Sequence, residues 1–365
     1  MYRTILHIDL DYFYAQIEET KDPTLKDMPV VVCQFSGRTE DSGAVATSNY
    51  IARKYGVKSG MPIIIAKKLL TKHKAAFIDA DDSHHTLYES ISTQIMSIVR
   101  NYGTAFENIS IDEACIDITK QSEGNLDKAR EIAFAIKSDL SKEQNLTCSI
   151  GISPNKLISK MAADHQKPNG LTVIDDENVK DFLFSLELKK LHDVGPKTLE
   201  KLNSLGIKTI KQLSTFDPSI LIENFGIKSG NYLHLSANGI DNEPVKEKPV
   251  NQYGRIVTLK NDTRDLTIIN ENLDKISYDV HELLVKNNVD FKSIRIMAIT
   301  ENMETHQKSK TLDFLNNSHE TIKKHSHILF QDLLLENKKN IRRIGVTVYN
   351  LSPKTGQTSL SDFSN

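Results

Sequence analysis

The chain of 365 residues contains no tryptophan and only three cysteines. Cys33, Cys115 and Cys148 are odd in number and far apart, and each lies in an apolar, strand-like run. Disulfide frameworks and structural zinc sites use cysteines in pairs or at short spacings, so we expect neither. The pattern favours buried thiols in a protein of the reducing cytoplasm.

Long apolar segments are also missing. No run approaches the roughly 18 apolar residues that a membrane span requires. The first residues, Met1 to Thr4, lead directly into a predicted strand. We therefore expect neither a membrane association nor a signal peptide.

Neither sign of charge dominates, because 46 Lys and Arg stand against 48 Asp and Glu, for a net charge of −2. Taken alone, this balance argues against strong nucleic-acid binding. A carboxylate-rich half that needs divalent cations would, however, conceal a basic half, and residues 245–350 are slightly basic. With 39% hydrophobic and 26% charged residues, the chain has a globular composition, and its length predicts roughly two to four domains.

One short segment, residues 9–14, stands at a predicted strand-to-helix junction. It follows the apolar run 5–8, and a helical pattern begins at Phe13. Asp9 therefore lies at the mouth of the junction, where its carboxylate can reach a cation. A helix-capping role explains Asp9 equally well at this point, and Asp11 has no evident role.

Two further acids, Asp112 and Glu113, lie between the apolar runs 106–109 and 114–118, which predict a β-hairpin. Adjacent carboxylates repel one another unless a cation neutralises them. Their oxygens suit Mg²⁺ or Mn²⁺ better than zinc. With Asp9 they make three acids, which can hold two divalent ions for a phosphoryl displacement. A solvated hairpin turn is the alternative for the pair.

Cations that could bind a triphosphate are present as well. Tyr50 and Arg53 are three residues apart on a predicted helix and share a face. Lys167 precedes a Pro-Asn-Gly turn. Taken singly, each cation is more typical of a solvated surface charge.

Six segments together carry a family resemblance: residues 9–14, 43–53, 110–113, 167–170, 254–258 and 342–346. In order and spacing they resemble the motifs of the Y-family translesion DNA polymerases, in the DinB (DNA polymerase IV) branch and its archaeal members. The resemblance implies a template-directed DNA polymerase of low fidelity that performs translesion synthesis from dNTPs. It also implies two Mg²⁺ ions per active site, with Mn²⁺ as a substitute, and no proofreading exonuclease.

The implied fold is an α+β multidomain right hand with a palm, small fingers, a helical thumb and a C-terminal α/β little finger. The implied boundaries are 1–12 and 80–173 for the palm, 13–79 for the fingers, 174–240 for a thumb with a helix-hairpin-helix, 241–251 for a linker, 252–350 for the DNA-binding little finger and 351–365 for a flexible tail.

By the same resemblance, Asp9, Asp112 and Glu113 are the catalytic acids, and they bind metal together with the carbonyl of Leu10. Tyr14 would exclude ribonucleotides, because its ring crowds a ribose 2′-hydroxyl; a place in the core is the alternative. The residues implied to bind the incoming dNTP are Tyr12, Phe13, Tyr14, Thr47, Tyr50, Arg53 and Lys167.

The resemblance places DNA contacts in two regions. Residues 194–207 resemble a helix-hairpin-helix, whose backbone amides bind phosphate without reading bases. Asp193 stands where that pattern has its first glycine, and an ordinary helical hairpin is the alternative. Strand alternation places Arg342 and Arg343 on opposite faces of the sheet, so both cannot contact phosphate equally well. The implied contacts are Gly195, Lys197, Thr198, Arg255, Lys260, Arg342 and Arg343.

The last residues resemble a sliding-clamp peptide, in which Gln357, Leu360 and Phe363 have the expected spacing and Ser364 replaces the second aromatic. We therefore expect a monomer that binds primer-template DNA, dNTPs and a sliding clamp. Gln34 departs from the family, because the wall beneath the nascent base pair is usually small and apolar there.

Two other readings are open at this stage. Nucleotide cyclases also use acids on a hairpin, although the helical region and the basic last domain speak against them. A non-catalytic DNA-binding or clamp-recruitment scaffold is expected to lose one of the acids, yet Asp9, Asp112 and Glu113 are all present.

Overall fold

The computed structural model describes residues 3–354, which form two compact units. The first unit contains the residues up to Phe35 together with Gly43–Lys248. The second contains the short segment Ser36–Ser42 and the residues from Pro249 onward. Among the described residues, no helix has both the length and the apolar character needed to cross a membrane.

The elements alternate between strands and helices through most of the chain. The strands are β1 (Ile5–Leu10), β2 (Val30–Phe35), β3 (Gly43–Ser48), β4 (Ala76–Asp79), β5 (Ala105–Asn108), β6 (Glu113–Asp117), β7 (Cys148–Ser153), β8 (Leu171–Val173), β9 (Gln252–Thr263), β10 (Val289–Thr300), β11 (Thr305–Asn316) and β12 (Ile341–Pro353). The helices are α1 (Phe13–Lys21), α2 (Tyr50–Lys54), α3 (Ile63–Leu69), α4 (Asp82–Arg100), α5 (Thr119–Ser122), α6 (Leu126–Gln144), α7 (Lys156–His165), α8 (Val179–Ser185), α9 (Pro196–Ser204), α10 (Ile210–Ser214), α11 (Pro218–Ala237), α12 (Leu266–Lys286) and α13 (His319–Glu336).

A five-stranded sheet with the order β5-β6-β1-β7-β8 forms the centre of the first unit. Strand β1 is buried along its whole length, as its nearly continuous apolar sequence predicts. It pairs antiparallel with β6 and β7. The predicted hairpin is confirmed as β5 and β6. Apolar residues of α4 and α6, such as Ile95 and Ile136, pack in the same core as Leu6 and Ile8.

Helix α7 packs very closely against this sheet, and Gly151 on β7 makes the approach possible. A Cβ atom at this position would lie 2.0 Å from the backbone oxygen of Ser159 and 2.4 Å from the nitrogen of Ala163. The opposite side of α7, including Leu157 and Met161, packs with helices α8 to α11. The helix is therefore fixed between two layers, and its polar side chains have defined positions.

Residues 30–79 add a small three-stranded sheet with the order β3-β2-β4. The side chain of Asn49 links this sheet to α1 and α2. Its Oδ1 accepts hydrogen bonds from the backbone of Val30 and Ala52, and its Nδ2 donates to Glu19. The start of α2 is therefore held rigidly beside α1.

The second unit has a four-stranded antiparallel sheet with the order β11-β10-β12-β9. Helices α12 and α13 cover one face, where Leu273 and Phe330 pack with Ile344 and Val346 of β12. The other face carries Arg343, which lies opposite Thr258 in the pairing with β9.

Candidate active site

Two of the three predicted catalytic acids face each other across paired strands. Asp9 on β1 lies directly opposite Glu113 on β6. The amide of Leu10 donates to the carbonyl oxygen of Asp112 at 2.9 Å, which fixes the turn beside β1. Asp9 is 4% exposed and belongs to the strand, and α1 begins after Tyr12, which lacks a side-chain cap. The capping alternative for Asp9 is therefore wrong.

Three potential ligand groups lie together among the described residues. The ligand atoms of His7, Asp9 and Glu113 are within 4.8 Å of one another. His7 was not anticipated, although strand alternation places it on the same face as Asp9. The carboxylate of Asp112 lies outside this group, accepts a hydrogen bond from the hydroxyl of Ser110 at 2.6 Å and lines the same cavity.

Two lysines neutralise these acids. Lys160 Nζ lies 2.8 Å from Asp9 Oδ2 and 2.7 Å from Glu113 Oε1. Lys167 Nζ lies 2.6 Å from the same Asp9 oxygen and 2.8 Å from Asp164. Only Lys167 was expected here. Lys160 and Asp164 are four residues apart on α7, a spacing that signals a shared helix face but not which strand they meet.

Burial and charge act in opposite directions on the acids. Burial raises the pKa of Asp9 to about 6, although the charges of Lys160 and Lys167 oppose this shift. Burial also favours a higher pKa for Glu113, but the contact with His7 and the charge of Lys160 outweigh it and hold that pKa well below its usual range. The pKa values of the two neighbouring carboxyl groups are thus shifted in opposite directions, as can happen for carboxylates that share a site.

Carboxylate oxygens at one end of a cavity fit a divalent cation. Asp9, Asp112, Glu113 and Leu10 all border one open cavity of about 370 Å³. Carboxylate, carbonyl and water oxygens are the donors that Mg²⁺ and Mn²⁺ prefer. The residues present therefore fit such an ion.

The same cavity brings together the residues expected to bind phosphate. Arg53 donates to the backbone oxygen of Ser48 at 2.9 Å, and its guanidinium lies 4.8 Å from the ring centroid of Tyr50. The buried Tyr50 hydroxyl has no hydrogen-bond partner within residues 3–354. Thr47 and Lys167 line the cavity as well. Several donors therefore converge on a space beside the acids.

Tyr14 also borders the cavity, with a fixed ring. It stacks on Tyr88 with centroids 4.3 Å apart and an interplanar angle of 18°. The buried hydroxyl of Tyr88 donates to Glu18 at 2.8 Å. Tyr14 is partly exposed and also packs against the core of the first unit, so the alternative of a core position stays open. Neither supporting residue was anticipated from the sequence.

Asp11, which had no evident role in the sequence, is a buried structural acceptor. It accepts hydrogen bonds from the hydroxyls of Thr147 and Ser149 and from the backbone amide of Asn169, each at 2.8 Å. Asn169 has a left-handed backbone with φ of 54°. Asp11 therefore holds the turn that carries Lys167.

Gln34 meets a side chain that the sequence did not connect with it. Its Oε1 lies 3.1 Å from Nε2 of His85, and the His85 ring stands edge-on to Tyr14 with centroids 6.4 Å apart. The unusual amide is therefore part of a polar pair next to the aromatic ring.

The expected hairpin of the helical region keeps its turn in spite of the acid. Asp193 adopts a left-handed conformation with φ of 63°, the region that glycine normally occupies. Its side chain is exposed, and Gly195 precedes the first turn of α9. Lys197 is exposed and Thr198 is partly exposed at the same helix end.

Pairing in the second unit separates the four basic candidates. Arg343 shares the open face of the sheet with Gly345, whereas Arg255 lies opposite the buried Val346 at an edge strand. Arg342 Nη1 lies 3.8 Å from Asp262. Arg342 lies at the register shift between Ile341 and Arg343, so the placement of the two adjacent arginines on opposite faces stays a prediction. Lys260 is exposed on β9, and the clamp-like residues Gln357, Leu360 and Phe363 lie outside the described residues.

One basic residue of the open face was missed. Arg295 on β10 pairs with Thr347 and Ser309, which places it on the face of Arg343. Its guanidinium lies 5.5 Å from the ring centroid of Tyr349.

Comparison with protein families gives three matches along the chain. The impB/mucB/samB family matches residues 8–164, and the C-terminal domain of the same family matches residues 250–361. Between them, the thumb domain of DNA polymerase-iota matches residues 189–241.

Relatives and solved structures match over nearly the full length. DNA polymerase IV of Nitrosopumilus maritimus is 43% identical over 99% of both chains, and that of Methanosarcina acetivorans is 43% identical over 100% of both. A Y-family DNA polymerase chimera of Dbh and Dpo4 superposes with a TM-score of 0.89 at 36% identity, covering 96% of this chain and 99% of that one. An insertion ternary complex of Dbh DNA polymerase has a TM-score of 0.70 at 35% identity, with the same coverage.

Proposed function

Because this chain belongs to the DNA polymerase IV (DinB) branch of the Y-family DNA polymerases, we propose that it extends a primer 3′-hydroxyl by two-metal-ion nucleotidyl transfer. It is a DNA-directed DNA polymerase of the translesion class. We further propose that it synthesises with low fidelity and without a proofreading exonuclease.

The observation that carries the mechanism is the shared cavity of acids and phosphate-binding groups. Asp9 and Glu113 face each other at one end, and Tyr50, Arg53 and Lys167 line the same space. Phosphoryl transfer depends on positioning and charge neutralisation rather than on covalent chemistry by the protein. This arrangement supplies both.

Asp9, Asp112 and Glu113, with the carbonyl of Leu10, are proposed to hold two Mg²⁺ ions, for which Mn²⁺ can substitute. When bound, such ions activate the attacking oxygen and stabilise the charge of the leaving group. Lys167 and Arg53 would bind the triphosphate, together with the hydroxyls of Thr47 and Tyr50 and the backbone amides of Tyr12 and Phe13.

Tyr14 is proposed to select the sugar. Its ring is held by the stack on Tyr88, whose hydroxyl is fixed by buried Glu18. A ring that cannot move aside excludes a 2′-hydroxyl by contact, so deoxynucleotides are favoured.

Primer-template DNA is the proposed macromolecular substrate, and the similarity to an insertion ternary complex of a DNA polymerase supports this proposal. The open sheet face of the second unit, with Arg295 and Arg343, and the start of α9 at Gly195, Lys197 and Thr198 are candidate backbone contacts. Arg255, Lys260 and Arg342 remain weaker candidates. Phosphate contacts of this kind make affinity fall with rising salt.

The domain assignment is a proposal of the same kind. Palm, fingers, thumb, linker and little finger would occupy the boundaries given by the sequence. We also propose that the protein is a cytoplasmic monomer.

We propose further that it binds a sliding clamp through Gln357, Leu360 and Phe363. Deletion of residues 357–365 should then abolish clamp binding and leave distributive synthesis intact.

Primer extension with Mg²⁺ and dNTPs tests the mechanism. Wild type should extend the primer, and Asp112→Ala should not, whereas the matched control Asp127→Ala, an exposed acid on α6, should behave as wild type. Full activity of Asp112→Ala would contradict the metal role. In the same assay Tyr14→Ala should incorporate ribonucleotides; unchanged sugar selectivity would contradict the sugar role.

A further inference from the structure

Lys160 lies where a cation between Asp9 and Glu113 would have to lie. Its Nζ is 2.8 Å from Asp9 Oδ2 and 2.7 Å from Glu113 Oε1, so one ammonium bridges the acids of two neighbouring strands. Its side chain is 16% exposed and that of Asp9 is 5% exposed. Both charges are therefore largely removed from bulk water.

We propose that Lys160 is a placeholder cation, which holds Asp9 and Glu113 before divalent ions bind and competes with those ions for the same oxygens. This inference rests on the proposed metal role of the two acids. Buried like charges are costly without a counter-ion, which gives the ammonium a role in the ion-free protein. An Mg²⁺ ion needs its oxygen ligands at about 2.0–2.1 Å, so ammonium and ion cannot both use this position.

A third acid offers the ammonium a place to withdraw. Asp164, one turn further along α7, has Oδ2 3.5 Å from Lys160 Nζ and is about half exposed. Lys167 already contacts Asp164 at 2.8 Å, while it also contacts Asp9. When Asp9 and Glu113 turn to an ion, both ammoniums keep a carboxylate partner in Asp164.

Lys156 supplies the matched control on the same helix. It lies one turn before Lys160, is similarly buried at 12% exposure, and contacts Glu107 at 2.6 Å. Glu107 does not border the cavity that holds Asp9 and Asp112. Removal of either ammonium takes one of two lysine partners from a buried acid, Lys167 remaining at Asp9 and Lys248 at Glu107. Only Asp9 belongs to the proposed metal site.

The test is direct Mn²⁺ binding to the full chain without DNA or dNTP, measured by electron paramagnetic resonance of free Mn²⁺. Lys160→Met should bind Mn²⁺ at least about tenfold more tightly than wild type, because a competing charge is removed. Lys160→Arg keeps the charge and should bind no more tightly than wild type. Lys156→Met should leave Mn²⁺ affinity unchanged. Thermal unfolding in EDTA should show Lys160→Met destabilised, with a larger Mn²⁺-induced rise in Tm than wild type.

The Mn²⁺ affinities distinguish a placeholder cation from a lysine that only positions the acids. Unchanged or weaker Mn²⁺ binding by folded Lys160→Met would overturn the placeholder role and make Lys160 a positioning residue for the acids. If Lys160→Met does not fold, tighter binding by Lys160→Gln supports the proposal and equal binding refutes it. Asp9→Asn tests whether the measured Mn²⁺ binds at this site, and it should weaken Mn²⁺ binding. If Asp9→Asn binds Mn²⁺ as tightly as wild type, the proposed metal site itself is refuted.

Discussion

Helix α7 carries two lysines one turn apart, and they pair with different acids of the same sheet. Lys156 contacts Glu107 at 2.6 Å, whereas Lys160 bridges Asp9 and Glu113 at 2.8 and 2.7 Å. All three acids lie on the same sheet, on β1, β5 and β6. The two clusters share a scaffold and a type of contact, so their difference in charge balance is informative.

The cluster around Glu107 is saturated by the protein's own cations. Lys248 approaches this single buried carboxylate from a second side at 3.3 Å. Burial favours a higher pKa for Glu107, but the two lysines outweigh it and place the pKa below its usual value. Such a cluster has no need of a further cation, and its contribution is to stability.

The cluster around Asp9 is not saturated. Burial raises the pKa of Asp9 to about 6 against the charges of Lys160 and Lys167, whereas the pKa of Glu113 in the same cluster lies below its usual range. The difference from the Glu107 cluster is therefore the number of carboxylates, since Asp164 borders this cavity as well. Glu113 and the nearby Asp112 add further negative charge beside the same cavity. The contrast indicates that a functional acid cluster differs from a structural one by the charge that the protein leaves uncompensated.

Two isosteric substitutions should separate the clusters most strongly. Glu113→Gln removes a charge from the proposed metal site, and we expect primer extension to fall by about 10²–10³-fold, the usual loss when a preorganised electrostatic group is removed. Glu107→Gln removes a more deeply buried charge outside that site, and extension should stay close to wild type. The measurement is single-turnover extension of a primer-template at saturating dNTP.

Circular dichroism of both variants controls for folding. Equal losses of extension by two folded variants would show that the comparison is wrong and that both acids act through the stability of the sheet.

A second prediction concerns the shared scaffold. Gly151→Ala would place a Cβ 2.0 Å from the backbone oxygen of Ser159, so α7 must shift and both clusters must lose their geometry. We expect a loss of about 1–3 kcal/mol in the free energy of unfolding, typical of an overpacked core, measured by urea denaturation. Extension activity should fall with it.

Gly195→Ala is the control for this substitution, because a Cβ there meets no atom within 4 Å. Its free energy of unfolding should remain near that of wild type. A Gly151→Ala variant of unchanged stability would show that α7 is not held by this close approach.

The sequence predicted the acids of the site and Lys167, but not Lys160. Asp9 and Glu113 could be placed because each ends or begins a short apolar run, and the hairpin that brings Glu113 to β1 is local. Lys160 could not be placed, since its contact depends on how closely α7 approaches Gly151. The residue types of an individual motif do not specify such packing.

Asp11 shows the same limit in a polar network. The groups that donate hydrogen bonds to Asp11 are remote in sequence: the hydroxyls of Thr147 and Ser149 and the backbone amide of Asn169. Single-sequence patterns reveal periodicity and local turns, whereas a network assembled from β1, β7 and a distant turn becomes visible only in three dimensions. The clamp peptide stays a prediction of the sequence alone.

The smallest expected effect is the pH dependence of the saturated cluster. Because the folded pKa of Glu107 is below its ordinary value of 4.5, its ion pairs stabilise the fold above that value, and this contribution is lost as the pH falls through the lower folded pKa. Glu107→Gln should therefore cost only about 0.5–1.5 kcal/mol at neutral pH, the net contribution of a typical hydrogen bond, because Lys156 keeps Glu243 at 3.5 Å. The cost should become progressively smaller below pH 4.5. Urea denaturation of wild type and variant across this range measures the difference, with Asp127→Asn as an exposed control. A cost that does not shrink on acidification would show that Glu107 acts through packing, and the contrast between a charge-saturated and an unsaturated cluster would then have to be abandoned.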